Sequence, residues 1–167
     1  MTKSADSSQE STSQEPTIRR ATASDIPAIV RLLADDPLGQ LREAPTDPLP
    51  QSYYTAFAVI DRDPQHELVV VERAGEVIGT LHLTFLPYLT HRGGLRAQIE
   101  AVRIARAHRA AGLGEHLFRW AIARAQARGC HMVQLTTNAS RRDAHRFYER
   151  LGFVPSHLGL KLDLPPS

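Results

Sequence analysis

Between an apolar run ending at Ala105 and a stretch of helical spacing from Phe118 to Cys130 lies the junction Arg109-Ala110-Ala111-Gly112-Leu113-Gly114. Two glycines there leave the backbone open to close approach, and a helix start adds unpaired N–H groups and a partial positive charge. Such a junction can hold an anion, phosphate above all. Arg106, His108 and Arg109 add positive character just upstream. A tight strand-to-helix turn that merely needs glycine would carry the same residues. The spacing departs from two familiar phosphate loops: there is no Gly-x-x-x-x-Gly-Lys-Ser/Thr, and Gly-x-Gly-x-x-Gly would need a third glycine where Leu117 stands. Nucleotide hydrolysis and dinucleotide binding are therefore disfavoured. A second reactive candidate, Glu100, interrupts the apolar run Ile99 to Ile104 and by period two shares a face with Val102 and Ile104. That places it in a partly desolvated position, which raises a carboxyl toward the range of a useful base. Pairing with Arg96 or Arg103 across a sheet is the alternative.

These residues need elements to hold them. Residues 17–22 read as a short strand, and residues 24–36 as a helix with Ile26, Ile29, Val30 and Leu33 on one face, Thr22 or Ser24 as cap and Pro27 in the first turn. Residues 37–57 mix prolines with polar and apolar residues, which predicts a mobile loop with a short helix near Tyr53 to Phe57. Residues 67–85 read as a hairpin turning at Ala74-Gly75, and Arg96 to Ala105 as a further strand. The helix after the glycines buries Leu113, Leu117, Phe118, Ala121, Ile122 and Ala125 and stops at Gly129; the arginines opposite, Arg119, Arg124 and Arg128, read as a solvated face. A strand over residues 131–138 follows. The next helix has Ser140 and Asp143 in capping-box spacing and Ala144, Phe147, Tyr148 and Leu151 on one stripe, and a final strand spans residues 158–164. The order predicts one α/β (α+β) domain with a strand–helix–strand crossover in its second half.

A chain of 167 residues with 42% apolar content can build one core. A net charge of +2 and no clustered basic face with interleaved aromatics argue against nucleic acid as partner. The single Cys130 cannot form an internal disulfide, and no His/Cys cluster has zinc-ligand spacing, so no metal is implied and a cytoplasmic setting is expected. Residues 1–16, rich in Ser, Gln and Glu, read as a disordered tail without the apolar centre of a signal peptide, leaving residues 17–167 as the domain. No segment approaches the ~20 apolar residues of a membrane span, so no membrane partner is expected.

The junction resembles the pyrophosphate loop of the GNAT superfamily of acyl-CoA-dependent N-acetyltransferases, Gln/Arg-x-x-Gly-x-Gly/Ala, and matches it in full over Arg109 to Gly114. A second stretch, Ala144-His-Arg-Phe147-Tyr148-Glu-Arg-Leu-Gly152-Phe153, is similar to the family's later helix motif, in the same order and at the same distance. The resemblance covers residues 17–163. It implies a GNAT-like domain with a mixed, mostly antiparallel sheet splayed between its fourth and fifth strands and flanked by helices. It also implies acetyl-CoA as co-substrate.

Further implications follow for single residues. The resemblance makes Glu100 the base that takes the amine proton, directly or through water, and Tyr148 the acid that protonates the thiolate; a bulge in this strand, which the family often has, would change which way Glu100 faces. A core tyrosine with its hydroxyl at the edge is the alternative for Tyr148. Cofactor contacts are expected from Arg109, Ala110, Ala111, Gly112, Leu113, Gly114 and Glu115. The strand backbone at Val102, Arg103 and Ile104 should hold the pantetheine as an added strand would, with Asn138 and Phe147 nearby. Asparagine at 138 would equally serve a turn. Cys130, between a helix end and a strand, reads as a small buried residue, which favours direct transfer in a ternary complex. The acceptor, a small-molecule amine or peptide, would meet the loop carrying Asp35, Asp36, Glu43 and Asp47 near Tyr53 and Tyr54, a set suited to a cationic amine or simply to a polar surface. A non-catalytic acyl-CoA-binding regulator keeps the same glycine loop. The oligomeric state, homodimer included, is left open.

Overall fold

A computed structural model of the chain describes residues 15–109 and 111–164. Most of the tail expected over residues 1–16, and Ala110 of the glycine loop, lie outside the described residues. The sheet grows from the hairpin. β2 (His66–Arg73) carries the unbroken apolar run Leu68 to Val71, and β3 (Glu76–Pro87) sets Leu81, Leu83 and Phe85 between Thr80, His82 and Thr84; both favour the pleated backbone. Ala74 and Gly75 both take positive φ, 52° and 79°, which suits a two-residue turn to the strands' twist. β1 (Thr17–Arg20) pairs antiparallel with β2, and β4 (Leu95–Ile104) antiparallel with β3. β5 (Cys130–Leu135) pairs with β4 in parallel, giving the order β1-β2-β3-β4-β5. This is the mixed, mostly antiparallel sheet that was expected.

Helices cover the sheet. A 3-10 turn at Ala23–Asp25 leads into α1 (Ile26–Ala34), with Pro27 in its first turn and Ile26, Ile29 and Val30 buried. Asp25 accepts from the Thr22 N–H at 2.7 Å and from Arg19 at 2.7 Å, so its carboxyl is held at about 2, chiefly by the arginine. The proline-rich segment is more helical than its sequence suggests. It forms α2 (Pro37–Gln40) and a full α3 (Gln51–Arg62), because Pro50 sits just outside α3 rather than within it. The short α4 (Thr90–Gly93) is one irregular turn.

The helix α5 (Leu113–Ala127) buries Leu113, Leu117, Phe118, Ala121 and Ala125 against the sheet and ends before Gly129 at φ 74°. Its outer arginines are only in part a solvated face. Arg124 clamps the buried carboxylate of Glu67 with contacts down to 2.8 Å, and Arg128 lies 4.2 Å over the Phe85 ring while donating to the Pro64 carbonyl. Arg119 alone reaches along its own helix, to Glu115. The helix α6 (Arg142–Arg150) starts without the expected capping box, since the Ser140 hydroxyl bonds Asn138 Oδ1 at 2.7 Å instead of a helix N–H. The strand expected over residues 158–164 is not formed: this segment has no regular structure and is exposed throughout.

Candidate active site

The site arises where two parallel strands part. β4 and β5 are paired from Leu95↔Cys130 to Ile99↔Leu135, after which β5 stops and β4 runs on to Ile104. The gap is a cleft of ≈ 500 Å³ that brings together Glu100, Val102, Arg103, Ile104, Arg109, Gly114, Phe147 and Tyr148 from the expected set. Because β5 ends, the side of β4 from Glu100 onward that faces it is free to pair with something other than protein strand.

Gly112 caps α5 at φ 72°, a left-handed conformation that disfavours other residues, and a Cβ placed there would meet nothing within 4 Å among the described residues. The first bond back along the helix runs from the His116 N–H to the Gly112 carbonyl at 3.0 Å, which leaves Leu113, Gly114 and Glu115 without intrahelical acceptors. Gly114 has a different reason to be glycine, since a Cβ there would sit 3.8 Å from Phe147, an ordinary contact, but would shield the helix start. The Arg109 guanidinium donates to the Ile104 carbonyl at 3.0 Å and to Asp35 at 3.0 Å.

Glu100 lies on the opposite face from Ile99, as alternation requires, but Val102 and Ile104 do not keep phase with it. Glu100 pairs with His82 and Arg103 with Thr80, so Ala101 and Val102 together oppose Leu81 alone, and Ala101 takes φ 53°. This bulge resets the strand's phase. Ala97 and Ile99 are buried on one face before it, while Glu100 is exposed on the other. The carboxylate therefore lines the cleft in contact with solvent rather than desolvated beside Val102 and Ile104. The arginines proposed as its partners are engaged elsewhere, Arg96 with Gln134 at 3.1 Å and Arg103 with Asp36 at 3.2 Å.

Tyr148 is half-buried, with Phe118 at 5.4 Å and Phe147 at 5.5 Å between ring centroids. Burial pushes its phenol above the ordinary value, and the positive charges of Arg141 and Arg103 draw it partly back. It stays protonated at neutral pH and keeps a proton to give. Asn138 is drawn away from the cleft: its Oδ1 accepts from the Ser140 N–H at 2.9 Å, the turn role, and its carbonyl from Arg141. Glu115 turns to Arg119 on the helix surface, and Leu113 is buried in the core, so only their backbones can serve a ligand. Ala111 stands exposed in the loop.

Thr136, Thr137 and Arg141 also line the cleft, and sequence reasoning did not single them out. Thr137 Oγ1 and Arg103 Nε are buried and have no hydrogen-bond partner among the described residues. A threonine pair directly after a strand that ends at a cleft was the available signal. Helix-end donors, a glycine backbone and two buried unpaired polar atoms fit a ligand with a pyrophosphate and an amide-bearing arm. Among the described residues no group of His, Cys, Asp and Glu could hold a metal ion.

The acceptor loop departs from expectation. Asp35 is taken by Arg106 and Arg109, Asp36 by Arg103, and Glu43 accepts from the Tyr53 hydroxyl at 3.0 Å. Burial alone would raise the Asp36 carboxyl, but the Gly39 N–H, then Arg103, Arg141 and Arg42, hold it below its ordinary value. Burial pushes the Arg103 guanidinium down, Asp36 draws it back up, and Arg141 and Arg42 add smaller downward effects. The cleft wall thus carries Arg103, Arg109 and Arg141 together with the carboxylates of Glu100 and Asp143.

A mixed sheet whose last two strands part beside a glycine-capped helix start is an acetyltransferase type of fold. The chain belongs to the acetyltransferase (GNAT) family, whose model matches residues 28–153. It is 30% identical over 140 residues, 84% of this chain and 86% of the relative, to an aminoalkylphosphonate N-acetyltransferase of Salmonella typhimurium. A crystal structure described as a transcriptional regulator from Bacillus halodurans C-125 is 51% identical, with TM-score 0.87 over 90% of this chain and 100% of that one. An acetyltransferase from Trypanosoma brucei is 27% identical, with TM-score 0.74 over 90% of this chain and all of that one. No helix among the described residues is long and apolar enough to cross a membrane.

Proposed function

We propose that this protein moves an acetyl group from acetyl-CoA to the primary amine of a small molecule that also carries an anionic group. The observation that carries the proposal is the cleft at the splay, with a helix start at one end and Glu100 and Tyr148 both on its walls. Acetyl-CoA, when bound, supplies an activated thioester carbonyl. The N–H groups of Leu113, Gly114 and Glu115, with Arg109, would hold its pyrophosphate, and the free edge of β4 from Val102 to Ile104, with Thr137, its arm. Glu100, open to solvent, is placed to take the amine proton directly or through one water. Tyr148, kept neutral by burial, returns a proton to the departing sulfur. The two proton transfers balance. Burial also pushes the Cys130 thiol up, and Cys130 is not among the residues lining the cleft, which supports direct transfer over a route through a cysteine intermediate.

The anionic group is supported by the three guanidinium groups on the cleft wall, Arg103, Arg109 and Arg141, of which Arg103 and Arg109 also pair with Asp36 and Asp35. An acceptor such as an aminoalkylphosphonate, the substrate class in the name of the Salmonella relative, suits those groups better than a polyamine. A second reading, an acyl-CoA-sensing regulator, is favoured by the description of the Bacillus halodurans protein.

Thiol release measured over a panel of aminoalkylphosphonates, amino acids, polyamines and a lysine peptide separates these. The expected result is turnover with kcat/KM at least about tenfold higher for anion-bearing amines, roughly 1.4 kcal/mol. Tyr148→Phe should bind acetyl-CoA normally and lower kcat by about a hundredfold, within the usual range for a general acid. Binding of acetyl-CoA with no turnover on any amine would favour the regulator.

A further inference from the structure

Two aspartates follow α1, and both reach arginines of the cleft. Asp35 goes to Arg106 and Arg109 beside the glycine loop, and Asp36 to Arg103 on β4. Asp36 is fixed from behind. One of its oxygens accepts from the Gly39 N–H at 2.6 Å and so caps α2, which packs so close to α1 that a Cβ at Gly39 would collide with the Leu33 carbonyl. The other oxygen meets the Arg103 guanidinium at 3.2 Å, in a pair whose side chains are only 23% and 16% exposed. Arg103 is held as firmly: it follows the bulge at Ala101 and donates to the Val102 carbonyl at 2.9 Å.

Arg103 and Tyr148 line the same cleft. A bare guanidinium beside a phenol favours the phenolate, and in a wall this buried the effect is poorly screened. Burial holds the Tyr148 proton on, and Arg141 and then Arg103 draw it off. The other charged groups of the cleft wall are Glu100, Arg109 and Asp143, with Arg42 near Asp36. Those of α6 turn elsewhere: Arg146 to Asp143, Arg150 over the Phe147 ring at 5.8 Å and His145 to the Asn138 carbonyl, with Arg142 and Glu149 exposed. From α5 the phenol ring meets Phe118.

We propose that Asp36 is a positioning residue: by neutralising Arg103 in the cleft wall, it keeps the proton on Tyr148. It acts through the arginine rather than on a substrate. Capping α2 needs only an oxygen acceptor, which asparagine supplies as well, so a charge at residue 36 is more than the cap requires. Without that charge, Arg103 would add an unopposed cation to Arg141 beside the phenol, and the proton would be lost at lower pH. The consequence for turnover rests on Tyr148 being the acid of the proposed transfer; the effect on the phenol does not.

Ultraviolet titration of tyrosinate in the full chain, taken as the difference between each protein and the same protein carrying Tyr148→Phe, isolates this phenol without any substrate. Asp36→Asn, which retains the cap, should move its titration to lower pH. Arg103→Gln, which leaves Asp36 unpaired, should move it to higher pH, and Arg103→Lys should leave it near the wild type. Asp36→Asn combined with Arg103→Gln should fall between the two single variants. The alkaline limb of kcat should move in the same direction in each protein. A phenol titration unmoved by Asp36→Asn, or moved the same way by Asp36→Asn and Arg103→Gln, would overturn the inference. If Asp36→Asn fails to fold, Arg103→Gln against Arg103→Lys decides, and equal titrations overturn it. Phenol shifts as expected with an unmoved kcat limb would uphold the coupling and remove Tyr148 from the acid role instead.

Discussion

His82 sits on β3 opposite Glu100, with its Nε2 2.9 Å from Nδ1 of His66, which also lies 3.3 Å from the Thr84 hydroxyl. Burial, and then the neighbouring His66, lower its pKa from 6.5 to about 4. The folded state thus refuses a proton that the unfolded chain accepts below about 6.5, so as pH is lowered from 6.5 to 4 the unfolded state binds more protons and stability is progressively lost. Urea midpoints should drop between pH 7 and pH 5 in the wild type and drop less in His82→Gln. Equal drops would place the acid sensitivity elsewhere. The same neighbourhood marks how far single residues can be read from sequence. The glycine loop and the tyrosine motif were legible because their constraints are local, a left-handed φ and a helix face. Glu100 was legible as a candidate but not in its exposure; the bulge just after it at Ala101, which the family resemblance allowed for, takes Val102 and Ile104 out of its phase. Asn138 carried a turn residue's chemistry, and the turn used it.

For the elements, periodicity identified the inward face of α5 but was silent about its outward one. Arg124 reaches Glu67, 57 positions earlier in the chain, and no local pattern encodes a partner at that distance. The pairing anchors the last turn of α5 to the start of β2. Arg124→Ala would leave a buried carboxylate unpaired and should cost about 2 kcal/mol in urea unfolding, below the 3–5 typical of fully buried pairs because the arginine is partly exposed. Adding Glu67→Leu to that variant should recover much of the loss. If Arg124→Ala unfolds like the wild type, the clamp contributes nothing. The missing capping box of α6 teaches the reverse lesson: Ser140 and Asp143 have the right spacing, but the Asn138 side chain captures the hydroxyl first.

At the scale of the whole molecule, the order of elements and the strand–helix–strand crossover were legible, since alternating and helical periods switch at glycines and prolines. Two things were not. The leucine alternation of residues 158–164 specifies a strand, but a face says nothing about which sheet will cover it. The loop after α1 has the composition of a cation trap, yet folding pairs its Asp35 and Asp36 with Arg103, Arg106 and Arg109, so those carboxylates are already neutralised. What unites the molecule is the splay between β4 and β5 with α5 starting at its mouth. The direct test is calorimetric titration with acetyl-CoA of the wild type, Gly112→Asn and Gly112→Asp. Asn and Asp both tolerate positive φ, and a carboxylate at a helix start does not harm the helix, so the pair differs chiefly in charge facing the pyrophosphate. Micromolar binding to the wild type that is weakened at least about tenfold further by Asp than by Asn, roughly 1.4 kcal/mol, is the predicted result. No binding by the folded wild type, or equal affinity in all three proteins, would contradict the assignment of this loop.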